Sequence, residues 1–163
     1  MIVQSQIKNR MKIMSPKWRE HWMRHALLIA SMSPCPRGKV GAFIIDKNNN
    51  PVSAGFNGPP RKSQSKLCGS DDRCLRNCQS IESGTKTEVG CHHAEQNAIA
   101  NAARKGVSLE DCWMVVSVPP CLACAKFIHH SGIKQVQVLD CVYSWDGVNY
   151  LLFNGVDVSV FSL

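Results

Sequence analysis

The sequence lacks an apolar run long enough to cross a membrane. The longest early run, residues 26–30, is far shorter than the roughly 20 residues that a spanning helix needs. The first 25 residues also lack the apolar core of a secretory signal peptide. Basic side chains recur through that segment instead: Lys8, Arg10, Lys12, Lys17, Arg19 and Arg24. We therefore expect a cytoplasmic protein with no membrane partner.

Acidic residues are scarce: 12 Asp and Glu stand against 19 Lys and Arg, for a net charge of +7. The basic residues are scattered rather than clustered, so two interpretations stay open. The charge either attracts an anionic ligand or serves solubility. Internal repeats are absent, and 163 residues suit one domain with a core of its own. We expect a single domain over residues 1–163.

Nine cysteines are present, an odd number that argues against a disulfide framework in a reducing compartment. Metal binding is the better explanation for the clustered ones. Cys112 and Cys141 flank predicted strands and are expected to be buried as small apolar side chains. His129 and His130 lie in the last turn of a predicted helix, where they interact favourably with its dipole.

Apolar spacing predicts four helices and five strands. Ser15 followed by Pro16 marks the N-terminus of the first helix, which Ser33 and Pro34 end. The predicted strands are 40–45, 52–56, 113–118, 133–139 and 156–160, and the later helices are 94–105, 121–130 and 145–154. This order predicts an α/β sandwich around a mixed sheet.

Two segments have no clear period. Residues 1–14 are expected to form a loose N-terminal arm. Residues 57–91 are expected to form a Cys-rich insertion loop, and a loop of that length in a compact domain usually has a function or a hidden tether.

The chemistry-bearing residues fall in two short motifs. His93 and Glu95 form an H-x-E, and Pro120, Cys121 and Cys124 lie in a P-C-x-x-C. Together they make the signature of zinc-dependent nucleobase deaminases. His93, Cys121 and Cys124 supply the three ligands of a catalytic zinc, which leaves the fourth position open. The dipole at the start of the helix predicted over residues 121–130 favours thiolates at Cys121 and Cys124.

Glu95 is the predicted catalytic residue. Two residues apart on a regular helix do not share a face, so His93 and Glu95 reach one site only if His93 lies at or near the helix cap. Zinc makes hydroxide available at neutral pH. Glu95 would pass the proton of the attacking water to the ring nitrogen, and in a later, separate transfer it would protonate the leaving amino group. His92 is the rival ligand to His93, but it lacks a Glu at that offset.

From residue 33 to residue 160 the chain resembles the cytidine and deoxycytidylate deaminase superfamily, and within it the dCMP deaminases. The matching segments are VGA at 40–42, GFNGPP at 55–60, HAEQNAI at 93–99, PCLACAK at 120–126 and SGIK at 131–134. The resemblance implies a three-layer α/β/α sandwich with a five-stranded mixed sheet. It also implies deamination of dCMP to dUMP, in pyrimidine deoxynucleotide metabolism.

The resemblance implies further partners. Asn57 would contact the sugar or a nucleotide at a regulatory site, and Tyr143 falls where relatives carry an aromatic near the base. The chain would form a homo-oligomer, with a hexamer favoured. Regulation by dCTP with Mg²⁺, or by dTTP, would follow if this control is kept.

A second, structural zinc is the other implication of the resemblance. By position, Cys35, Cys68, Cys74 and Cys91 are the best four ligands, with Cys78 or His92 as substitutes. Four thiolates would close a tetrahedral site and tether the loop. The alternative is a set of free, partly exposed thiols.

Other functions remain open from the sequence. The substrate could be dCTP, CMP or a tRNA adenosine, although a tRNA enzyme needs an extended basic face. A zinc-stabilised nucleic-acid-binding module would need no catalysis. Glu95, which a purely structural zinc site does not require, argues against that module.

Overall fold

The structure is a computed structural model that describes residues 14–60, 74–85, 87 and 89–162. Its helices are α1 (Pro16–Ser31), α2 (Leu75–Cys78), α3 (Ala94–Arg104), α4 (Leu122–His130) and α5 (Asp146–Phe153). Its strands are β1 (Gly41–Ile45), β2 (Pro51–Phe56), β3 (Trp113–Val116), β4 (Gln135–Leu139) and β5 (Asp157–Phe161). No helix in these ranges is long and apolar enough to cross a membrane.

The five strands form one mixed sheet in the order β2-β1-β3-β4-β5. β1 pairs antiparallel with both β2 and β3, whereas the β3–β4 and β4–β5 pairs are parallel. Parallel neighbours need a crossover, which α4 and α5 provide. The β1–β2 hairpin turns at Asp46, whose carboxylate accepts from the main-chain N–H groups of Asn48 and Asn50, each at 2.8 Å.

Helices cover both faces of the sheet. On one face α1 buries Trp22, Met23 and Ala26 against Phe43 and Ile45 of β1. The other face is covered by α3, α4 and α5, and the larger core cluster on that side takes residues from all five strands, with Val52 of β2 partly buried against it. The structure therefore confirms the predicted three-layer α/β/α sandwich with a five-stranded mixed sheet.

The element boundaries differ from the predictions by one or two residues. β3 ends at Val116 rather than at residue 118, and β4 begins at Gln135 rather than at residue 133. The prediction of a continuous loop over 57–91 missed α2, which at four residues is too short to show a period. Residues 1–13 of the predicted arm lie outside the described ranges, while Met14 packs against the α1 side of the core.

Candidate functional site

The start of α3 carries two of the predicted site residues. His93 is the N-cap, with extended backbone, and its carbonyl accepts the first helical bond from Asn97 at 3.0 Å. Its own N–H donates to Oε1 of Gln96 at 2.9 Å, which satisfies a donor that the helix leaves unpaired. The N-cap residue does not have helical backbone angles. The side chain of His93 can therefore face the same site as that of Glu95, although residues two apart inside a helix face different directions.

The start of α4 repeats this arrangement. Cys121 is the N-cap, and its Sγ accepts from the main-chain N–H of Cys124 at 3.5 Å. Cys124 is buried in the first turn, while Cys121 is half-buried. Both sulfurs thus lie at the positive end of the helix dipole, which stabilises negative charge on them.

The two helix starts bring three ligand atoms together. Nδ1 of His93 lies 3.5 Å from Sγ of Cys121 and 3.3 Å from Sγ of Cys124. A tetrahedral zinc with bonds of about 2.3 Å to sulfur and about 2.0 Å to nitrogen has N···S edges of about 3.5 Å. Both N···S distances therefore suit this metal. Within the described residues they are the only such group of three ligand atoms.

The electrostatics of the two sulfurs also suit a cation. A hydrogen bond from the Cys124 thiol, with help from His93, lowers the pKa of Cys121 to about 4 against the opposing effect of burial. The same hydrogen bond, together with burial, raises the pKa of Cys124. The hydrogen bond to Cys121 raises the pKa of His93. The two sulfurs are thus joined by a hydrogen bond from the Cys124 thiol to Cys121. A divalent cation bound here by both sulfurs and His93 would displace the thiol proton.

Glu95 lies beside the ligand group without joining it. The residue is only 3% exposed, and its carboxylate interacts with the Cys124 thiol. Its oxygens are not part of the group of ligand atoms that lie within 4.8 Å of one another. Burial raises the pKa of Glu95, so the protonated form is favoured relative to a carboxyl in water. The site thus combines three ligands with an unligated carboxyl that can hold a proton.

A cleft of about 480 Å³ opens over this group. Asn57 and Tyr143 both line it, and Tyr143 is partly exposed there. The Asn57 carboxamide is already engaged, because its Nδ2 donates to Gly38 O and its Oδ1 accepts from the Val40 N–H, both at 2.8 Å. Asn57 therefore holds the chain before β1 against the end of β2, an interaction that the sequence did not predict.

Of the cysteines predicted to hold a second zinc, the three described ones lie farther apart than the three ligand atoms of the first site. Cys35, Cys74 and Cys91 all line the cleft, but they do not form a group of three ligand atoms within 4.8 Å of one another. Cys68, the fourth member of the predicted set, lies outside the described residues. The substitute ligand His92 directs its Nδ1 to Oδ1 of Asn97, at 3.3 Å.

The remaining predicted residues lie elsewhere. Cys112 is buried as expected, while Cys141 is only half-buried. His129 contacts the hydroxyl of Tyr150 at 3.3 Å, away from the ligand group. The sequence analysis did not single out Arg37 and Arg76, which line the cleft from segments 39 residues apart. In the sequence, each arginine lies near cysteine and turn-forming residues. That context does not distinguish Arg37 and Arg76 from the other basic residues of the chain.

Comparison with known proteins gives one family and several relatives. Residues 16–140 match the family described as the cytidine and deoxycytidylate deaminase zinc-binding region. The protein of Homo sapiens named deoxycytidylate deaminase is 37% identical over 120 residues, which cover 74% of this chain and 63% of the human protein. This chain thus spans less than two thirds of the length of that relative.

A phage protein and a solved structure are similar over more of their own length. The deoxycytidylate deaminase of Enterobacteria phage T4 is 35% identical over 143 residues, with 68% of this chain and 72% of the phage protein covered. The crystal structure of dCMP deaminase from the cyanophage S-TIM5, in complex with dCMP and dUMP, superposes with a TM-score of 0.73 at 30% identity. That superposition covers 91% of this chain and 99% of the cyanophage chain.

Proposed function

Because this chain belongs to the cytidine and deoxycytidylate deaminase zinc-binding family, we propose that it catalyses the zinc-dependent hydrolytic deamination of dCMP to dUMP and ammonia. The reaction belongs to pyrimidine deoxynucleotide metabolism. The observation that carries the proposal is the convergence of one imidazole and two sulfurs beside a buried, unligated carboxyl. The N···S distances of 3.5 Å and 3.3 Å suit a zinc bound by His93, Cys121 and Cys124.

Zinc bound there supplies Lewis acidity and makes hydroxide available near neutral pH. Glu95 is proposed as the catalytic acid and base. It accepts the proton of the attacking water and delivers it to the ring nitrogen beside C4 of the cytosine. It then takes the remaining proton of the hydroxyl added at C4 and gives it to the amino group, which leaves as ammonia while the C4 carbonyl forms. Burial of Glu95, which raises its pKa, favours the proton-carrying form that the last step requires.

The positive ends of two helices support the same chemistry. His93 caps α3 and Cys121 caps α4, so both helix N-termini lie at the proposed zinc site. Negative charge that develops on the attacked ring is stabilised by this arrangement. Water is partly excluded, because Cys124 and Glu95 are buried, and such exclusion strengthens the electrostatic effect.

The proposed substrate, dCMP, rests on the cyanophage relative that was solved with dCMP and dUMP. A cleft of about 480 Å³ has room for a nucleotide of this size. Asn57 and Tyr143 are proposed as substrate contacts, Asn57 through the amide hydrogen and lone pair that its bonds to Gly38 and Val40 leave over. CMP, dCTP and a tRNA adenosine are the competing substrates, and a panel of all four distinguishes them.

The wider proposal includes features of the family resemblance. A second zinc would use Cys35, Cys68, Cys74 and Cys91, of which three line the cleft. Metal analysis that finds one zinc per chain, rather than two, would remove it. We further propose that the chain forms one domain and assembles as a homo-oligomer, with a hexamer favoured, which unfolding curves and sedimentation test respectively. We also propose control by dCTP with Mg²⁺ or by dTTP, which titration of each effector against activity tests.

The decisive experiment is the Glu95→Gln variant of the zinc-loaded protein. Ammonia release from dCMP should fall by about 10³-fold, within the usual range for a general acid–base group, while the zinc content stays at the wild-type value. Glu20→Gln, an equal change on the exposed face of α1, should keep full activity. An active Glu95→Gln enzyme would refute the mechanism. A wild type that binds zinc and nucleic acid but releases no ammonia would favour the non-catalytic binding module.

A further inference from the structure

Residues 56–58, the 56–58 segment, lead from the end of β2 into the wall of the cleft. Asn57, the middle residue, lines the cleft and is one of the two proposed substrate contacts. Each of the three main-chain carbonyls of the segment accepts a hydrogen bond from the side chain of a residue elsewhere in the chain. The place of Asn57 in the cleft therefore depends on side chains that lie outside the segment.

Asn97 of α3 holds the 56–58 segment from one side. Its Nδ2 donates to Phe56 O at 2.8 Å and to Gly58 O at 3.3 Å. Because carbonyl oxygens only accept, these bonds fix the orientation of the carboxamide, and its Oδ1 is left to accept from Nδ1 of His92 at 3.3 Å. The main-chain N–H of Gly58 also donates to His92 O, at 3.1 Å. The start of α3 is thus bonded to both ends of the segment.

Ser33 holds the same segment from the other side, two residues after the end of α1. The residue is only 3% exposed, and its Oγ donates to Asn57 O at 2.7 Å. The same Oγ accepts from the main-chain N–H of Cys35 at 3.2 Å. The hydroxyl is used as donor and acceptor at once, which fixes its direction. Asn57 is therefore held between the chain that follows α1 and the first turn of α3.

Two further side chains make bonds of the same kind outside the lining of the cleft. Nδ2 of Asn101 donates to Ala54 O at 2.9 Å, and Oγ of Ser53 donates to Ala98 O at 2.8 Å. Four residues of a helix rise about 6 Å and two residues of a strand about 6.7 Å. Asn97 and Asn101, four apart on α3, can therefore both meet carbonyls of β2, which lies at an edge of the sheet.

We propose that Asn97 and Ser33 are positioning residues that fix the 56–58 segment and so direct Asn57 at the bound nucleotide, an inference that rests on the proposed deaminase function. A binding group acts fully only when it is held within about 0.5 Å of its productive place. The three side-chain bonds to the segment supply that restraint. Their loss should weaken substrate binding before it affects the chemical step.

The proposed metal ligands do not depend on these side-chain bonds. His93 is held by its own N–H, which donates to Oε1 of Gln96 at 2.9 Å. Its carbonyl accepts from the main-chain N–H of Asn97, and a change of the Asn97 side chain leaves that bond in place. Substitution of Asn97 or Ser33 should therefore leave the zinc content at the wild-type value.

A purely structural role is the competing explanation, because each bond also ties two elements of the fold together. A structural loss lowers thermal stability and leaves KM unchanged in the protein that is folded. A positioning loss raises KM for dCMP while kcat stays nearly constant, since the missing interaction contributes to binding. The bonds made by Asn101 and Ser53 distinguish the two roles, because they have the same chemistry away from the cleft.

The test compares Asn97→Ala with Asn101→Ala, and Ser33→Ala with Ser53→Ala, on the zinc-loaded protein. The members of each pair are matched in burial: both asparagines are half-buried, and the serines are 3% and 7% exposed. Calorimetry measures the Kd of dUMP, and steady-state kinetics measures KM and kcat for dCMP. Thermal unfolding and zinc content show whether each variant is folded and loaded.

Asn97→Ala and Ser33→Ala should each raise the Kd of dUMP and KM for dCMP by about 10-fold, the usual effect of one hydrogen bond. In both variants kcat should change by less than about threefold. Asn101→Ala and Ser53→Ala should keep the wild-type Kd and KM, although their Tm falls by a similar amount because the same kind of bond is lost.

A double-mutant cycle tests whether Asn97 acts through Asn57. In the Asn57→Ala background, Asn97→Ala should change the Kd of dUMP by less than about twofold, because the contact that Asn97 positions is already gone. A full 10-fold effect in that background would mean that Asn97 acts on the ligand by another route, and the positioning role would be wrong.

Equal effects on KM in the test and control variants, or no effect in either, would also overturn the positioning role. Ser33→Ala removes a single oxygen atom, so it decides the question if Asn97→Ala does not fold. Binding of dUMP does not require turnover, which separates the two proposals. The expected pattern of dUMP binding without ammonia release from any cytosine compound would refute the deaminase proposal alone. An active enzyme without that pattern would refute the positioning role alone.

Discussion

Gly147 lies in the first turn of α5 with no room for a side chain. A Cβ at this position would stand 2.8 Å from the carbonyl oxygen of Cys121 and closer still to that of Pro120. Ordinary contact begins at 3.4 Å, so α5 and the Cys121 carbonyl must move apart by about 0.6 Å in Gly147→Ala to restore it. This carbonyl belongs to the N-cap of α4, and therefore to a proposed zinc ligand.

Two effects of opposite sign decide the stability of Gly147→Ala. Alanine in a helix is favoured over glycine by up to about 1 kcal/mol. Overpacking typically destabilises by about 1–3 kcal/mol, and here the opposing atoms are main-chain oxygens, which cannot rotate away. We expect overpacking to win, with a net loss of about 1–2 kcal/mol, or roughly 2–8 °C in Tm for a chain of this size. Zinc affinity should fall by about 10-fold, because the displaced backbone carries Cys121.

The measurements are thermal unfolding and a competitive chelator titration, each compared with Asn149→Ala. Asn149 is exposed on the same helix, so its change alters helix propensity without touching α4. If Gly147→Ala were at least as stable as the wild type and bound zinc equally well, the close approach of α5 to the start of α4 would not constrain the site.

Two further predictions concern the core and the hairpin. Leu151→Ala removes a fully buried side chain of α5 and should reduce the free energy of unfolding by about 2–5 kcal/mol, whereas Phe153→Ala, 91% exposed on the same helix, should change it by less than about 0.5 kcal/mol; a denaturant titration measures both. The hydrogen bond from the Asn50 side chain, with main-chain bonds from Asn50 and Asn48, lowers the pKa of Asp46. A folded-state pKa below the unfolded one gives stability that is present above the unfolded pKa and lost as pH falls through the folded one. The Tm difference between the wild type and Asp46→Ala should therefore shrink from pH 7 to below pH 4, and a constant difference would contradict this linkage.

Local patterns predict the elements of this chain well, because each element carries its own period or cap. Ser15 and Pro16 mark the start of α1 at the observed residue, and alternation along 156–160 marks β5. The H-x-E and P-C-x-x-C spacings identify residues that converge in the structure, since each pair is held by the first turn of one helix. These signals lie within a few consecutive residues, so they can be read without knowing the fold.

The rest depends on contacts between distant segments. The strand order β2-β1-β3-β4-β5 joins the hairpin to the parallel strands through the β1–β3 pair, and no local periodicity encodes that pairing. Asn57 bonds to Gly38 and Val40 through an amide whose sequence context suggests only a ligand contact. Arg37 and Arg76 both donate hydrogen bonds to segment 81–85, which has no helix or strand of its own. Side chains in such segments acquire partners only when the chain is folded.

Two close approaches of backbone to backbone fix the proposed centre. Gly55 of β2 lies directly under α3, where a Cβ would stand 2.5 Å from Ala94 O, one residue after His93. Gly147 does the same for α4, beside Cys121. Asn97 adds a bond from its Nδ2 to Phe56 O at 2.8 Å, which ties the start of α3 to the end of β2. Each half of the ligand set is thus anchored by contacts to a neighbouring element as well as by its own helix. The N···S distances that suit zinc therefore follow from the packing of the sheet and helices, so substitutions at Gly55 or Gly147 act on metal binding although neither residue is a proposed ligand.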